Sequence, residues 1–248
     1  MKKSFISSLK QLRRDLLHRD FKKKVYPYFQ NKNGLEVGGP SRIFARELPL
    51  YNLANNIDGC NFSTRTMWEG TIAAGLHYNY TPGKTGYQFI SEASNLQGIE
   101  NNHYDFLLAS HCLEHCANAL KTMEEWLRVT RPGGCLLLIL PDRRFTFDHN
   151  RPVTSFEHLL QDYHNNTGED DTTHLEEIFA LHDFSRDRDS GSAAEFKARS
   201  YKNAENRGMH HHVFDFALLE KIYAWFGIAV TGTEFIYPYH QVIAGIKK

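Results

Sequence analysis

Side chains able to act as acids, bases or metal ligands are frequent in this 248-residue sequence, which contains 14 histidines. One short group is His111, Glu114 and His115, which would share one face if the segment were helical. Imidazole and carboxylate groups so arranged can hold a divalent metal. A histidine can also serve as a general base, because its ordinary pKa lies near neutrality. The residues leave three roles open for this group: a metal site, a metal-free base, or helix packing.

A second group of polar side chains lies between residues 142 and 158, and a run of three histidines follows at residues 210–212. Charged side chains are rarely buried in a protein core unless they are paired. We therefore expect these side chains to face a substrate; the alternatives are a stabilising network of ion pairs and, for the histidine run, a solvated helix start. His149 is a further candidate for the base. The candidates for substrate contacts are Arg144, Asp148, Arg151, His158 and His211.

The elements that would position these side chains alternate between short apolar runs and helical stretches. This alternation predicts an α/β fold with a doubly wound, mostly parallel sheet. Five strands are predicted first, and a helix from the fourth strand to about Val129. The predicted strands are residues 35–37, 57–58, 87–90, 104–109 and 135–140, followed by two closing strands at about 228–236 and 241–246.

A glycine-rich turn follows the first predicted strand, in the order Glu36-x-Gly38-Gly39-Pro40-Ser41. Glycines at such a turn let the backbone approach a ligand closely while N–H groups point toward it. Asp58, about 20 residues further on, is suited to accept the two ribose hydroxyls of a nucleotide-like cofactor. The turn by itself is a weak signal, because it lacks the third glycine of a dinucleotide-binding fingerprint.

Together these segments resemble class I S-adenosylmethionine (SAM)-dependent methyltransferases. Glu92-Ala93 is similar to the family's adenine-contacting pair, and residues 104–115 and 127–134 are similar to segments of the methyltransferase type 11 group. The resemblance implies a Rossmann-like seven-stranded sheet with an antiparallel last strand, and SAM as cofactor. The cofactor-binding residues it implies are Glu36, Gly38, Gly39, Pro40, Ser41, Asp58, Glu92, Ala93 and Ser110.

The group at residues 111–115 is similar to a divalent-metal site of quinone-biosynthesis O-methyltransferases, which have Glu-x-x-Glu-His. Here His111 replaces the first glutamate, and such a donor set would favour Zn, Mn or Fe over Mg. The string His-x-x-Glu-His also occurs in a class of zinc peptidases. We reject that alternative, because it would leave the methyltransferase-like segments on both sides unexplained.

Charge and composition suggest the organisation of the chain. Residues 1–33 are predicted as a basic helix that covers the domain or contacts an anionic membrane, and residues 34–248 as the methyltransferase domain with a helical lid at about 142–208. A net charge of zero argues against a nucleic-acid partner. Four irregularly spaced cysteines and no secretory signal favour the cytoplasm.

The most specific function that these features predict is O-methylation of a polar small molecule or glycan, such as a sugar or sugar acid. A histidine would act as base, and His111, His115 and His149 are the candidates. The alternatives are N- or C-methylation of another small molecule or a protein, and a SAM-binding module without catalytic activity.

Overall fold

The structure is a computed structural model that describes residues 18–248. Buried apolar runs form its innermost strands, as in Tyr104–Ser110 and the second half of Thr130–Pro141. In chain order the strands are β1 (Asn33–Val37), β2 (Asn56–Asn61), β3 (Arg65–Thr66), β4 (Gly70–Thr71), β5 (Gly75–Thr81), β6 (Lys84–Ile90), β7 (Tyr104–Ser110), β8 (Thr130–Pro141), β9 (Ala229–Ile236) and β10 (His240–Ile246).

The main sheet has the strand order β5-β6-β2-β1-β7-β8-β10-β9. The five strands that are adjacent in the order β6-β2-β1-β7-β8 run parallel to one another. Strand β10 is antiparallel to both of its neighbours. The mostly parallel sheet and its antiparallel last strand confirm the predicted fold class. The predicted count of seven strands was too low, because β5 adds an eighth, antiparallel strand beside β6. This edge strand is half exposed, and its buried residues are separated by an exposed polar one. It therefore lacks the apolar run by which the inner strands were identified.

The helices are α1 (Arg19–Val25), α2 (Arg42–Arg46), α3 (Leu50–Leu53), α4 (Ala119–Val129), α5 (Phe156–Asn165), α6 (Leu175–Leu181), α7 (Ala193–Ser200), α8 (Asn203–Asn206) and α9 (Phe216–Trp225). Among the described residues, no helix is long and apolar enough to cross a lipid bilayer.

Two apolar cores cover the two faces of the sheet, because successive residues of a strand point to opposite faces. Leu107 and Leu136 belong to the core that includes residues of α4 and α9. Phe106 and Leu137 belong to the core that includes residues of α2 and α3. The inner strands are buried on both faces and therefore read as continuous apolar runs. Their carboxyl ends are held at one edge of the sheet.

The described part of the N-terminal segment packs on the second of these cores. Phe21 and Val25 of α1 and the following Phe29 are buried there. The continuous helix predicted over residues 1–33 is wrong within the described range, since α1 ends at Val25 and β1 begins at Asn33. Residues 1–17, with most of the predicted amphipathic helix, lie outside the described residues, and membrane contact by residues 1–30 stays a prediction.

The segment between β8 and α9, called the insertion below, includes the region at about 142–208 for which a helical lid was predicted. It contains α5 to α8 and has a small core of its own, formed by Leu175, Ile178, Phe196 and Met209. Its residues reach back over the carboxyl ends of the strands, where the cavities described below are located.

Candidate functional site

A cavity of about 480 Å³ opens at the carboxyl ends of the parallel strands. In open α/β sheets this edge is where ligands bind. Its wall includes the ends of β1, β2 and β7, the aromatic residues Phe62 and Trp68, and two residues of the insertion, Glu169 and Arg207. Of the predicted cofactor residues, Gly38, Pro40, Glu92, Ala93 and Ser110 line this cavity.

The turn after β1 requires both of its glycines. Gly38 has a φ of +81°, a conformation that side chains disfavour. A Cβ at Gly39 would stand 2.3 Å from the carboxyl carbon of Glu36 and 2.3 Å from the hydroxyl of Tyr78. Gly39 is followed by Pro40 through a cis peptide bond. The turn can lie this close to the strand below it only because no side chain intervenes.

Glu36 supports this turn from inside the protein. Its side chain is fully buried and accepts hydrogen bonds from the Tyr51 and Tyr78 hydroxyls, each at 2.6 Å, and from the Ser41 N–H at 2.9 Å. Burial raises the pKa of Glu36, and the hydrogen bonds oppose that increase. Glu36 does not line the cavity, and its carboxylate fixes the turn through the Ser41 N–H. Contact of Glu36 with a cofactor, directly or through water, stays a prediction.

The structure corrects the prediction for Asp58. Strand β2 continues three residues beyond it, to Asn61, so Asp58 lies within the strand rather than at its end. The Asp58 carboxylate accepts hydrogen bonds from the Tyr104 hydroxyl and the Tyr87 N–H, both at 2.8 Å, and does not line the cavity. The residue at the strand end is Asn61, whose amide donates to the Gly39 carbonyl at 3.0 Å and lines the cavity.

One arginine from the insertion, Arg207, lines the cavity and pairs with two acidic residues of its wall. Arg207 pairs with Glu92 at 2.7 Å and with Glu169 at 2.5 Å, and its guanidinium lies 5.0 Å from the centre of the Phe62 ring. Only about 10% of the Arg207 side chain is exposed. Burial raises the pKa of Glu92, and the positive charge of Arg207 opposes that increase. These contacts connect the insertion to the end of β6.

The segment after β7 is not the helix that the sequence predicted. His111 has a φ of +52°, residues Leu113–His115 form a single 3₁₀ turn, and α4 begins only at Ala119. His111 therefore shares no helix face with Glu114 and His115. Its Nε2 lies 2.8 Å from Nδ1 of His240, and its Nδ1 lies 3.3 Å from the Glu114 carboxylate. Burial lowers the pKa of His240 to about 4.

A second, smaller cavity of about 230 Å³ adjoins the first, and residues Met67, His115 and Gly208 line both. Its wall is rich in ionisable groups, most of them from the insertion: Asp148, Arg151, His182, Asp187, Asp189, Arg199 and His210. His115 thus stands where the two cavities meet.

His210 and Asp148 form a buried pair on the wall of the second cavity. Nδ1 of His210 lies 2.5 Å from the Asp148 carboxylate, whose other oxygen accepts from Arg151 at 3.0 Å. Burial alone would lower the pKa of His210, but Asp148 raises it above the ordinary value. Burial opposes ionisation of Asp148, but His210 and Arg151 hold its pKa at about 2. The carboxylate fixes the imidazole so that Nε2 is the nitrogen left to react.

His115 differs from His210 in its proton affinity. Its Nδ1 lies 3.0 Å from the Met209 carbonyl, so this nitrogen carries the proton and Nε2 has a lone pair. Burial, with the positive charge of His210 next in size, lowers the pKa of His115 to about 4. Burial would raise the pKa of the neighbouring Glu114, but the contact with His111 and the charges of His115 and His210 hold it below its ordinary value.

Four other predicted site residues lie outside both cavities. His149 pairs with Asp183 at 2.7 Å, and the Arg144 side chain is about 68% exposed and pairs with Asp142. His158 and His211 face other residues of the insertion. Of the predicted substrate residues, only Asp148 and Arg151 line a cavity. His149 and Arg144 take part in ion pairs, which was the alternative prediction for residues 142–158.

The predicted metal triplet is rearranged. Among the described residues, the donor atoms of Glu114 and His115 converge with those of His210 and not of His111. The sequence analysis also missed Asn61 and Arg207. Asn61 would have been identified if the second strand had been predicted to extend to residue 61. His210 is adjacent in the sequence to the predicted His211. No local pattern marks Arg207, which reaches the cavity only through the path of the insertion.

Comparison with known proteins establishes the family. A family model described as a methyltransferase domain matches residues 7–190. The chain belongs to this methyltransferase family. The predicted class I SAM-dependent methyltransferase is thereby confirmed at the level of family, fold and enzyme class. A weaker similarity, 25% identity over 142 residues, links the methyltransferase to fusarin C synthetase of Gibberella moniliformis. That alignment includes 48% of this chain and 4% of the synthetase.

Solved structures share the fold at low sequence identity. A SAM-dependent methyltransferase from Mesorhizobium loti has a TM-score of 0.52 at 10% identity, over 89% of this chain and 93% of that one. One from Methanosarcina mazei has a TM-score of 0.51 at 16% identity, over 90% and 95% of the two chains. A Pyrococcus horikoshii protein has a TM-score of 0.52 at 12% identity, over 100% and 91%.

Proposed function

We propose that this methyltransferase transfers the SAM methyl group to a hydroxyl of a small polar molecule, such as a sugar or sugar acid. The observation that carries the proposal is the junction of the two cavities at His115. It provides a larger compartment at the ends of the strands for the methyl donor and a smaller, polar compartment for the acceptor.

The larger cavity suits SAM in shape and chemistry. The backbone at Gly38 and Pro40 is bare enough for close approach by the methionyl part, and Asn61 at the end of β2 can bind the ribose hydroxyls. Phe62 and Trp68, with ring centres 6.0 Å apart, offer flat surfaces near Ala93 for the adenine. The sulfonium of SAM supplies an electrophilic methyl group, and the protein's task is to align the acceptor with it.

The smaller cavity suits a compact, hydroxylated acceptor. At about 230 Å³ it lies below the roughly 300–1,000 Å³ that drug-sized ligand pockets occupy. Its wall offers both carboxylate acceptors, such as Asp187 and Asp189, and a guanidinium donor, Arg199. Neighbouring hydroxyls need both kinds of partner, because each donates and accepts.

The general base we assign is His210. A base is most effective when its pKa lies near the working pH, and Asp148 raises the pKa of His210 whereas burial lowers that of His115 to about 4. His210 would accept the hydroxyl proton on Nε2 as the oxygen bonds to the methyl carbon, and the electron pair of the broken carbon–sulfur bond would leave with S-adenosylhomocysteine. Asp148 acts as a positioning residue, and His115 at the junction can accept a hydrogen bond from the acceptor.

The test is transfer of labelled methyl groups from SAM to a panel of sugars, sugar acids and polyols by purified protein. We expect His210→Gln to lower kcat by about 10²–10⁴-fold, the usual contribution of a general base. The matched control is His149→Gln, which alters a histidine of the same insertion outside both cavities. Equal activity of His210→Gln and His149→Gln, or labelling of amines alone, would overturn the proposal.

The pH dependence of activity distinguishes a histidine that acts as the general base from one that only supports the site. Activity should rise through a pKa above 6.5, because His210 must lose its proton, and Asp148→Asn should move this midpoint to lower pH. A midpoint near 4 that is unchanged in Asp148→Asn would assign the base to His115 instead.

A further inference from the structure

The insertion contains a cluster of metal-binding side chains that belongs to neither cavity. His158 and Asp162 lie one turn apart on α5, His174 precedes α6, and His212 precedes α9. One donor atom from each of these four side chains lies within 4.8 Å of the others. Four donors from three separate segments of the chain thus converge on one point.

The spacing of the donors matches a tetrahedral zinc site. Donors at about 2.0–2.1 Å from a tetrahedral centre are about 3.3–3.4 Å from one another. Here Nε2 of His158 lies 3.2 Å from Nε2 of His174 and 3.3 Å from Oδ2 of Asp162. Nε2 of His212 lies 3.7 Å from the same carboxylate oxygen. Small side-chain movements would bring all four donors to one ion.

A buried carboxylate oxygen that makes no hydrogen bond lies within the cluster and provides a second, independent observation. Asp162 is about 7% exposed, and its Oδ2 has no hydrogen-bond partner, whereas Oδ1 accepts from Thr167 at 3.1 Å. Burying a carboxylate oxygen without a partner is costly, and a bound cation removes that cost. Oδ2 is also the atom that faces His158 and His212.

The histidines of the cluster are suited to donate lone pairs. Nε2 of His174 faces Nε2 of His158, and Nε2 of His212 faces the Asp162 carboxylate, so each ring presents a nitrogen to the cluster. Nδ1 of His212 is buried without a partner. Coordination through Nε2 would place the proton on Nδ1 and replace the 3.1 Å contact between Nε2 and the Ala117 carbonyl.

We propose that His158, Asp162, His174 and His212 bind one Zn²⁺ as a structural site. Zinc accepts both imidazole nitrogen and carboxylate oxygen as donors, and a site that uses four protein ligands leaves no position for substrate. The ion would join α5, the start of α6 and the residues that precede α9. Because His212 lies two residues from His210, the metal would fix the segment that carries the assigned base. The site itself does not depend on the identity of the acceptor.

The test measures zinc bound to the full-length protein by mass spectrometry, after incubation with Zn²⁺ and desalting. We expect about one equivalent in the wild type, loss of that equivalent in His174→Ala and Asp162→Ala, and full retention in His164→Ala. His164 is the matched control, because it lies on α5 but outside the cluster and is exposed. Circular dichroism verifies that each variant is folded.

A measurement on the wild type keeps the proposal testable if the variants do not fold. Cobalt substituted for zinc should give the intense visible absorption of a tetrahedral site, and a chelator should lower the Tm. A wild type that retains no zinc, or a cobalt form without this absorption, overturns the proposal. So does loss of zinc in His115→Ala or Asp171→Asn with retention in Asp162→Ala, since it would place the metal in one of the two neighbouring clusters.

Discussion

Single residues at strand ends decide what the larger cavity can bind. Asn61 holds the glycine turn through the Gly39 carbonyl, and its Oδ1 accepts from the Trp68 indole at 3.3 Å. It therefore connects two walls of the cavity at the position where we place the ribose. Asp58 is three residues away in the same strand, yet its carboxylate is committed to Tyr104 and to the Tyr87 N–H.

We expect Asn61→Ala to weaken binding of SAM, or of its product S-adenosylhomocysteine, by up to about 30-fold. Two hydrogen bonds that shape the cavity are lost, each with a net contribution of about 1 kcal/mol. Asp58→Ala should leave the affinity within about twofold, but lower the free energy of unfolding by roughly 1–3 kcal/mol, because the Tyr104 hydroxyl loses its acceptor. Calorimetric titration and thermal unfolding measure the two effects. A larger loss of affinity in Asp58→Ala than in Asn61→Ala would contradict this assignment.

At the scale of elements, the insertion completes both cavities. It supplies Arg207 and Glu169 to the larger cavity and most of the polar wall of the smaller one. Its own core is small, with a cluster of four buried apolar residues. Its position over the sheet therefore depends strongly on polar contacts such as the Arg207–Glu92 pair.

Removing that contact should loosen the insertion. We expect Arg207→Ala to weaken S-adenosylhomocysteine binding about tenfold, about 1.4 kcal/mol, because Glu92 and Glu169 lose a shared, largely buried cation. Limited proteolysis should also cut residues 165–200 faster. Arg188→Ala is the matched control, since Arg188 is exposed on the same insertion and lines neither cavity. If both variants bind equally well, Arg207 does not hold the insertion closed.

At the scale of the whole molecule, buried histidines connect stability to pH. His115 and His240 each have a pKa of about 4 in the folded protein, well below the ordinary value of 6.5. Between these two pH values the unfolded chain binds more protons, so these groups make the protein less stable as pH falls from about 6.5 to 4. His210 acts in the opposite direction, because its raised pKa gives stability that is lost as pH rises through that pKa.

We expect the decrease in Tm between pH 7 and pH 5 to be smaller in His240→Gln than in the wild type. Glutamine keeps a polar partner for His111 but cannot take up a proton. His103→Gln is the control, because His103 is exposed and lies outside both cavities. Scanning calorimetry at the two pH values measures the change, and equal slopes for all three proteins would show that His240 does not contribute.

Most of the sheet could be predicted, because its inner strands are buried on both faces and leave continuous apolar runs, as in residues 135–140. The half-exposed β5 lacks that signal, and the turn at His111 depends on a positive φ and on hydrogen bonding to the Ile139 carbonyl of the neighbouring strand. The predicted helix there was wrong, because tertiary contacts overrode local helical preference.

The sequence by itself determined the family, the inner strands along the chain and the glycine turn, since each depends on residues close together in the chain. Only the tertiary structure decided which charged side chains share a site. Asp148 meets His210 across 62 residues, and Arg207 meets Glu92 across 115. His149, although next to Asp148 in the chain, turns away to Asp183. The physical reason is that the insertion has no regular periodicity, so the direction of each side chain is fixed by packing and ion pairs that no local pattern encodes.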